Sequence, residues 1–517
     1  MQTPAGSSGC GCVCLRRVMA DFLAAFASRK RSLRFFFLAG LGVIAALGQA
    51  PFDLWPATIL ALAALFLLTP ANRSAAQAAF HLWGFGIGYF AFSLRWIVEP
   101  FLVDIARHGW MAPFALVLMA AGAGLFWALA AALSHRIAPR SPAMLGLALV
   151  GAEIVRSLIL TGFPWALLGH VWVQTGLAQV AAFGGPHLLT LLTVICGWAL
   201  ALFAGRDRLV GLIVLGLVVA VSFVMRPGPA PLVAPDLPIV RLVQPNAPQQ
   251  QKWDPSYREV FLNRMIRLTS EGAVPDLVVW PETAVPFLLN QIEGDLSLLS
   301  GAARGVPLVF GIQRRDEELR AFNSLVVMGP GGQVQSIYDK RHLVPFGEYM
   351  PGARLLGQMG ATGLARNLGI GFTPGTGPGP ITLPGIGRAI ALICYEGIFA
   401  EEITDGGERA RLMLLITNDA WFGQGPGPRQ HLAQARLRAI EQGLPMVRVA
   451  NTGISAMIDA KGRIVAFLPL GTQGAIDVAL PSALPETLYA RWGDWPILPL
   501  LILLMTGVYT LRQHDSD

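Results

Sequence analysis

Residues 389–399 read A-I-A-L-I-C-Y-E-G-I-F, an unbroken apolar run that ends on one cysteine, Cys394, followed at once by Tyr395 and Glu396. A buried strand that stops at a nucleophile presents its reactive atom at the rim of a sheet. Buried cysteines are more often plain small hydrophobes, so the reading depends on what else the chain offers. Two more apolar strands end on ionisable residues: 277–280 runs into Pro281 and Glu282, and 336–339 into Lys340. A carboxylate, an ammonium and a thiol at successive strand ends can meet on one rim. As a set they make coherent chemistry. Glu282 can take the thiol proton and return it to a leaving group. Lys340, kept cationic, favours the thiolate and stabilises a tetrahedral oxyanion, with the backbone N–H of Tyr395 as a second donor. Cys394 is then the nucleophile of a covalent thioester.

Singly, each has a plain structural reading, Glu282 as a turn residue and Lys340 as a solvated charge at the end of a hairpin. Their combination is harder to set aside. Lysine occurs only at Lys30, Lys252, Lys340 and Lys461, so a lysine at a strand end stands out among many arginines. His342 would suit a Cys–His protease, but no Asn or Asp stands where it would orient the ring. No H-x-x-x-H or C-x-x-C spacing occurs, and neither a P-loop nor a dinucleotide-binding Gly-rich turn, so no metal and no cofactor is expected. Cys10, Cys12 and Cys14 form a C-x-C-x-C run without the further ligand a zinc site needs, and Cys196 packs in an apolar helix.

The elements that must position these residues lie in a chain of 517 residues, 54% hydrophobic and only 14% charged. A soluble domain carries roughly 25% charged residues, so this is an integral membrane protein. Apolar segments recur at 33–50, 54–69, 78–97, 111–133, 142–160, 185–204, 209–225 and 495–511. Most can cross about 30 Å of hydrocarbon; the second is short and relies on tilt or thinning. Net charge is +7, but the basic residues gather beside these segments, at Arg29, Lys30, Arg31, Arg73, Arg136, Arg140, Arg206 and Arg208. That alternation sets topology and gives no reason to expect nucleic acid. It predicts an N-terminal cytoplasmic extension (1–31), seven transmembrane helices (32–226), a Pro-rich linker (227–238), an extracytoplasmic domain (239–485) and a last transmembrane helix (493–512). Glu153 and Arg156 fall on one face of the fifth helix, where a structural ion pair is expected. Thr161 to Pro186 reads as a loop. Within 239–485, strands are expected at 239–243, 277–280, 307–312, 324–328, 336–339, 389–393, 414–417, 446–450 and 464–468, with helices at 257–271 and 431–442. Such alternation predicts an α/β layered domain. Residues 350–380 are Gly- and Pro-rich, as in a functional lid.

W-P-E at Glu282, D-K-R-H-L-V-P-F-G-E at Lys340 and I-C-Y-E at Cys394 resemble the Glu–Lys–Cys triad of the nitrilase superfamily. With the membrane helices, the chain is similar to the apolipoprotein N-acyltransferase family. Gly162 to Trp165 (G-F-P-W), Gln244 to Trp253, Asn418 to Phe422 (N-D-A-W-F) and Asn451 to Ser455 (N-T-G-I-S) fit too. The resemblance implies a membrane all-α bundle of about eight helices carrying an α-β-β-α sandwich. It places the triad on Glu282, Lys340 and Cys394, supporting roles on Glu348, Tyr395 and Glu396, and a lid tryptophan on Trp253. It implies an enzyme of the bacterial inner membrane, with its catalytic domain on the periplasmic side. The sn-1 acyl chain of a phospholipid, typically phosphatidylethanolamine, passes through a Cys394 thioester to the amine of a lipoprotein's diacylglyceryl-cysteine. Both substrates are lipids, so an apolar loop containing Leu355 and Leu356 is expected to admit a chain and exclude water. A second reading keeps the triad but makes the protein a membrane-tethered nitrilase-type amidase with a soluble C–N substrate. A third, a transporter or scaffold, leaves the triad without a purpose.

Overall fold

In the computed structural model the described residues are 21, 24–26, 28–205, 207–228, 236–294, 296–352, 371–377, 379–403 and 407–514. Cys10, Cys12, Cys14, Leu355 and Leu356 lie outside them. The chain forms two compact units. One comprises residues up to Val98, His108–Arg226 and the chain from Asp494 on; the other comprises Glu99–Arg107 and Pro227–Gly493.

The first unit is helical. Its principal helices are α1 (Arg31–Ala46), α2 (Trp55–Leu68), α3 (Ala75–Ser93), α4 (Ala112–Ile137), α5 (Pro142–Leu158), α6 (Ala181–Ala201), α7 (Arg208–Val224) and a C-terminal helix, Ile497–His514. Each coincides with one expected apolar segment. Three stretches, Ile105–Ile137, Gly176–Ala204 and Ile497–His514, are long and apolar enough to cross a membrane. The helix α6 breaks at Gly184 and Gly185, so its regular part starts at Pro186, a residue suited to a first helical turn. Glu153 and Arg156 form the expected pair at 3.0 Å, both buried. Trp127 Nε1 donates to Glu153 Oε1 at 2.7 Å, and Arg156 donates to the carbonyls of Phe163 and Trp165. The pair thus serves the backbone of G-F-P-W. Thr161 to Pro186 differs from a surface loop: from Trp165 to Val173 it is buried, and two 3-10 turns satisfy part of its backbone.

The second unit is an α-β-β-α sandwich. Twelve strands build two six-stranded sheets, ordered β12-β1-β2-β3-β4-β5 and β11-β10-β9-β8-β7-β6. The first holds β1 (Ile239–Gln244), β2 (Leu277–Val279), β3 (Leu308–Arg315), β4 (Ala321–Met328), β5 (Val334–Asp339) and β12 (Gly474–Ala479). The second holds β6 (Pro380–Leu383), β7 (Gly387–Ile393), β8 (Leu412–Thr417), β9 (Met446–Ala450), β10 (Ser455–Ile458) and β11 (Ile464–Leu468). Alternate residues of the parallel strands face opposite layers. Leu277, Val279, Ala391, Ile393, Leu414 and Ile416 fill the space between the sheets. Val278, Trp280 and Phe310 pack outward on helix α9 (Arg258–Ser270), and Leu392, Met413 and Leu415 on helix α10 (Pro426–Gln442). A short helix, α8 (Gln249–Lys252), precedes α9. The expected strands are all present. The strands β6, β10 and β12 were not legible: two are four residues long and the third is an edge strand paired antiparallel with β1. The helix α10 begins five residues before the expected start because Pro426 opens it.

Candidate active site

The three strand ends converge. After β2, the turn Trp280–Thr283 carries Glu282, whose backbone is pressed against β3. Gly311 N–H donates to Pro281 O at 3.1 Å, and a Cβ at Gly311 would lie 2.6 Å from the Glu282 Cα. Only glycine fits there. The Glu282 Oε1 accepts from Asn323 Nδ2 at 2.7 Å and Oε2 from the Asn418 N–H at 2.8 Å. After β5, Lys340 is anchored by its own N–H on Asn323 O at 2.8 Å. Its Nζ lies 3.6 Å from Glu282 and 2.9 Å from Glu348. Burial works against the Lys340 cation, but Glu348 and Glu282 outweigh it, and the pKa is raised. Glu348 also accepts from the Val344 N–H at 2.8 Å, which fixes the loop after Lys340. Asn323 donates to Glu348 at 3.1 Å as well, so one amide bridges both carboxylates.

After β7, Cys394 starts a short 3-10 helix with φ of 51° and is 6% exposed. A left-handed backbone at a non-glycine residue persists only where the surroundings hold it. Here Glu396 accepts from the Ile393 N–H at 2.7 Å, and its other oxygen accepts from Tyr338 Oη at 2.8 Å and the Arg341 N–H at 2.7 Å. Glu396 therefore ties the end of β7 to the end of β5; burial raises its pKa against those donors. On the far side of the turn, His431 Nε2–H donates to the Cys394 carbonyl at 3.2 Å. Burial pushes the Cys394 thiol up, Glu282 adds to this, and Lys340 and a hydrogen bond with Thr417 pull it down. The net shift is upward, so the resting group is a thiol and needs a base.

Tyr395 packs edge-on against Phe399 and His342. His342 stacks on Phe399 at 3.8 Å and faces Glu402 Oε1 at 2.7 Å, an orienting carboxylate sixty residues away that the sequence did not reveal. Trp253 is 42% exposed beside Lys252. The motifs that contain Gln244, Asn418 and Asn451 brace the site. Asn451 Nδ2 donates to Asn418 Oδ1 at 2.8 Å, Asn418 Nδ2 to Gln249 on α8 at 3.0 Å, and Ser455 to Gln244 at 2.7 Å.

Two groups escaped sequence reading. Lys252 is buried, with Nζ 3.1 Å from the Glu282 carbonyl and 2.7 Å from Thr283 Oγ1. Its sequence signals were the rarity of lysine and its place in the Gln244 to Trp253 motif, neither of which pointed to Glu282. The second group is Asp419, His431 and Arg448. The Asp419 carboxylate receives Thr417 Oγ1 at 2.9 Å, His431 Nδ1 lies 3.0 Å away and Arg448 at 2.6 Å, all buried. Burial alone would raise the Asp419 pKa; Arg448 and His431 outweigh it and hold it well below the usual carboxylate range. Arg448→Met leaves that carboxylate buried without its cation. We expect it to cost about 3–5 kcal/mol, and roughly 10 °C of melting temperature in the full chain in lipid nanodiscs. A melting curve that overlays the wild type would refute this account of the turn.

Residues 239–488 match the Carbon-nitrogen hydrolase family model, and residues 41–199 match the Apolipoprotein N-acyltransferase N-terminal domain. The apolipoprotein N-acyltransferase of Rhodopseudomonas palustris is 37% identical over 516 residues, covering 92% of this chain and 95% of its own. The chain belongs to the apolipoprotein N-acyltransferase family. The family's enzyme from Sinorhizobium fredii is also 37% identical, over 87% of this chain and 90% of its own. Among solved structures, an amidase from Nesterenkonia sp. aligns with 48% of this chain and 93% of its own at 20% identity and a TM-score of 0.34.

Proposed function

We propose that this member of the family moves the sn-1 acyl chain of a phospholipid, through a thioester on Cys394, to the amine of a lipoprotein's diacylglyceryl-cysteine. The observation that carries the reading is the meeting of Glu282 and Lys340, after strands of the first sheet, with Cys394, after a strand of the second, in a chain related to these enzymes along most of its length. Glu282 accepts the thiol proton as sulfur attacks the ester carbonyl. The Lys340 ammonium and the Tyr395 N–H receive the developing oxyanion, and the proton passes from Glu282 to the departing lysophospholipid oxygen. In the second half-reaction the lipoprotein amine attacks the thioester, gives its proton to Glu282, and the thiol is restored. Glu348 keeps Lys340 in place, and Glu396 and Tyr395 hold the turn. The donor we infer is phosphatidylethanolamine.

We further infer that all eight long helices of the first unit span the bacterial inner membrane, with 239–485 on the periplasmic side. The basic residues of alternate connections and three helices of full spanning length support this.

The experiment is intact mass of the purified full-length protein incubated with defined phosphatidylethanolamine. A gain equal to the sn-1 chain, removed by hydroxylamine and discharged by a diacylglyceryl-cysteine peptide, is the expected result. No adduct on folded protein would favour the amidase reading, as would lipid-independent turnover. Polar substitution of Leu355 and Leu356 is expected to raise hydrolysis of the thioester severalfold relative to transfer, by admitting water. An unchanged ratio would remove those residues from the proposal.

A further inference from the structure

The site holds two carboxylates, Glu282 and Glu348, bridged by one Asn323 amide, and Lys340 lies nearer Glu348 (2.9 Å) than Glu282 (3.6 Å). Two like charges sharing one buried site are not both retained unless a second cation balances them. Among the described residues the hydrogen-bond donors to the Glu282 carboxylate are neutral, Asn323 Nδ2 and the Asn418 N–H, and Lys340 stands beyond hydrogen-bond distance at 3.6 Å. On the other side of the Glu282 turn, Lys252 reaches in from α8 and donates to the Glu282 carbonyl and to Thr283 Oγ1. Thr283 has φ of 45°, so this lysine clasps a strained turn that presents the base. We propose that Lys252 is the second cation of the site, a positioning and charge-balancing residue that keeps Glu282 ready to take the thiol proton. The inference rests on the reading of Glu282 as the base.

The charge count supports it. With Lys252 protonated, Glu282, Glu348, Lys340, Lys252 and the neutral Cys394 thiol sum to zero, and the sum stays zero as the thiol proton moves to Glu282, because the new thiolate replaces the carboxylate charge. Without Lys252 the same groups carry one uncompensated negative charge in a buried site. Burial lowers the Lys252 pKa to about 8 against Glu282, on the turn after β2, which favours the charged form; among the described residues the other ionisable group facing it is Cys394 after β7, which favours the charged form only as a thiolate. Behind Glu282 stand Lys340 and Glu348, and behind Cys394 stands Asp419. Lys252 is thus a cation at neutral pH that is given up above about pH 8.

The test follows acyl-enzyme formation by intact mass, in single turnover, across pH in the full-length protein. Removing a cation beside a carboxylate base moves the acid limb of the rate upward. Lys252→Met should therefore lose roughly tenfold or more below neutral pH, for a shift of about one pH unit, and approach the wild type above the range where Lys252 itself loses its proton. Lys252→Arg keeps the charge and should keep the wild-type limb. A merely structural lysine predicts a uniform loss at every pH, and that result overturns the proposal, as does a Lys252→Arg profile shifted like that of Lys252→Met. If Lys252→Met does not fold, Lys252→Gln takes its place. If no variant folds, the lysine serves folding alone and the proposal fails. A wild type that never acquires an acyl chain would instead overturn the assignment of the reaction, which separates the two failures.

Discussion

Cys394→Ala is expected to fold, embed in lipid and carry no acyl chain after incubation with phospholipid, with turnover reduced by about 10⁴-fold or more. The loss is chemical because little else depends on the sulfur. The turn is held by Glu396 on the Ile393 N–H and by His431 on the Cys394 carbonyl, contacts that a side-chain truncation leaves in place. The cavity left by one buried sulfur costs about 1 kcal/mol, a small part of a domain's stability. Cys394→Ser sharpens the point, since it keeps the shape but offers a hydroxyl far less able to ionise at the same site. Intact mass and melting temperature, measured on the same samples, check both halves. An adduct that persists on Cys394→Ala would place the nucleophile elsewhere, with Thr417 the first residue to test.

The candidate residues stood out because Lys340 and Cys394 directly follow strands and Glu282 stands three residues after one, and a strand with the residues that end it is a local pattern. The layered α/β architecture was legible for the same reason, since β2, β7 and β8 are short, continuous apolar runs. What remained hidden is non-local. Asn323 lies within β4 and reads as an ordinary strand polar residue, yet it bridges Glu282 and Glu348. Asp419 sits inside a quoted motif, but its partners His431 and Arg448 lie 12 and 29 residues further on, on a helix and a strand with no shared period. Arg448 occupies a strand buried along its whole length, and an apolar strand pattern does not say which group a charge within it meets. The reading of Thr161–Pro186 as a loop left its burial open for a different reason. Gly and Pro punctuation marks the absence of regular helix, and it does not say whether the irregular backbone is exposed or, as here, buried around the Arg156 guanidinium.

Lys340→Met should lower acylation by about 10⁴-fold at neutral pH, because it removes two things at once. The first is the cation at the oxyanion, worth about 10²–10³ in rate where a buried donor is deleted. The second is the counter-ion of two carboxylates. With Nζ gone from its place 2.9 Å from Glu348 and 3.6 Å from Glu282, the pair keeps the bridging Asn323 amide but loses the cation between its members. One of them then takes up a proton, and a base that is already protonated cannot accept the thiol's. Stability should respond in the opposite sense to acidity. The raised Lys340 pKa means that the wild-type pairing is present at all ordinary pH and lost only as pH rises through that value. In the variant the penalty is the cost of putting a proton on one of two carboxylates that no longer both stay ionised, so its melting deficit should shrink as pH falls. The double variant Lys340→Met/Glu348→Gln removes the like-charge contact and should recover much of the melting temperature without recovering acylation. Recovery of acylation along with stability would show that Lys340 acts by neutralising Glu348 alone, and the oxyanion would then have to be held by backbone N–H groups of the Cys394 turn.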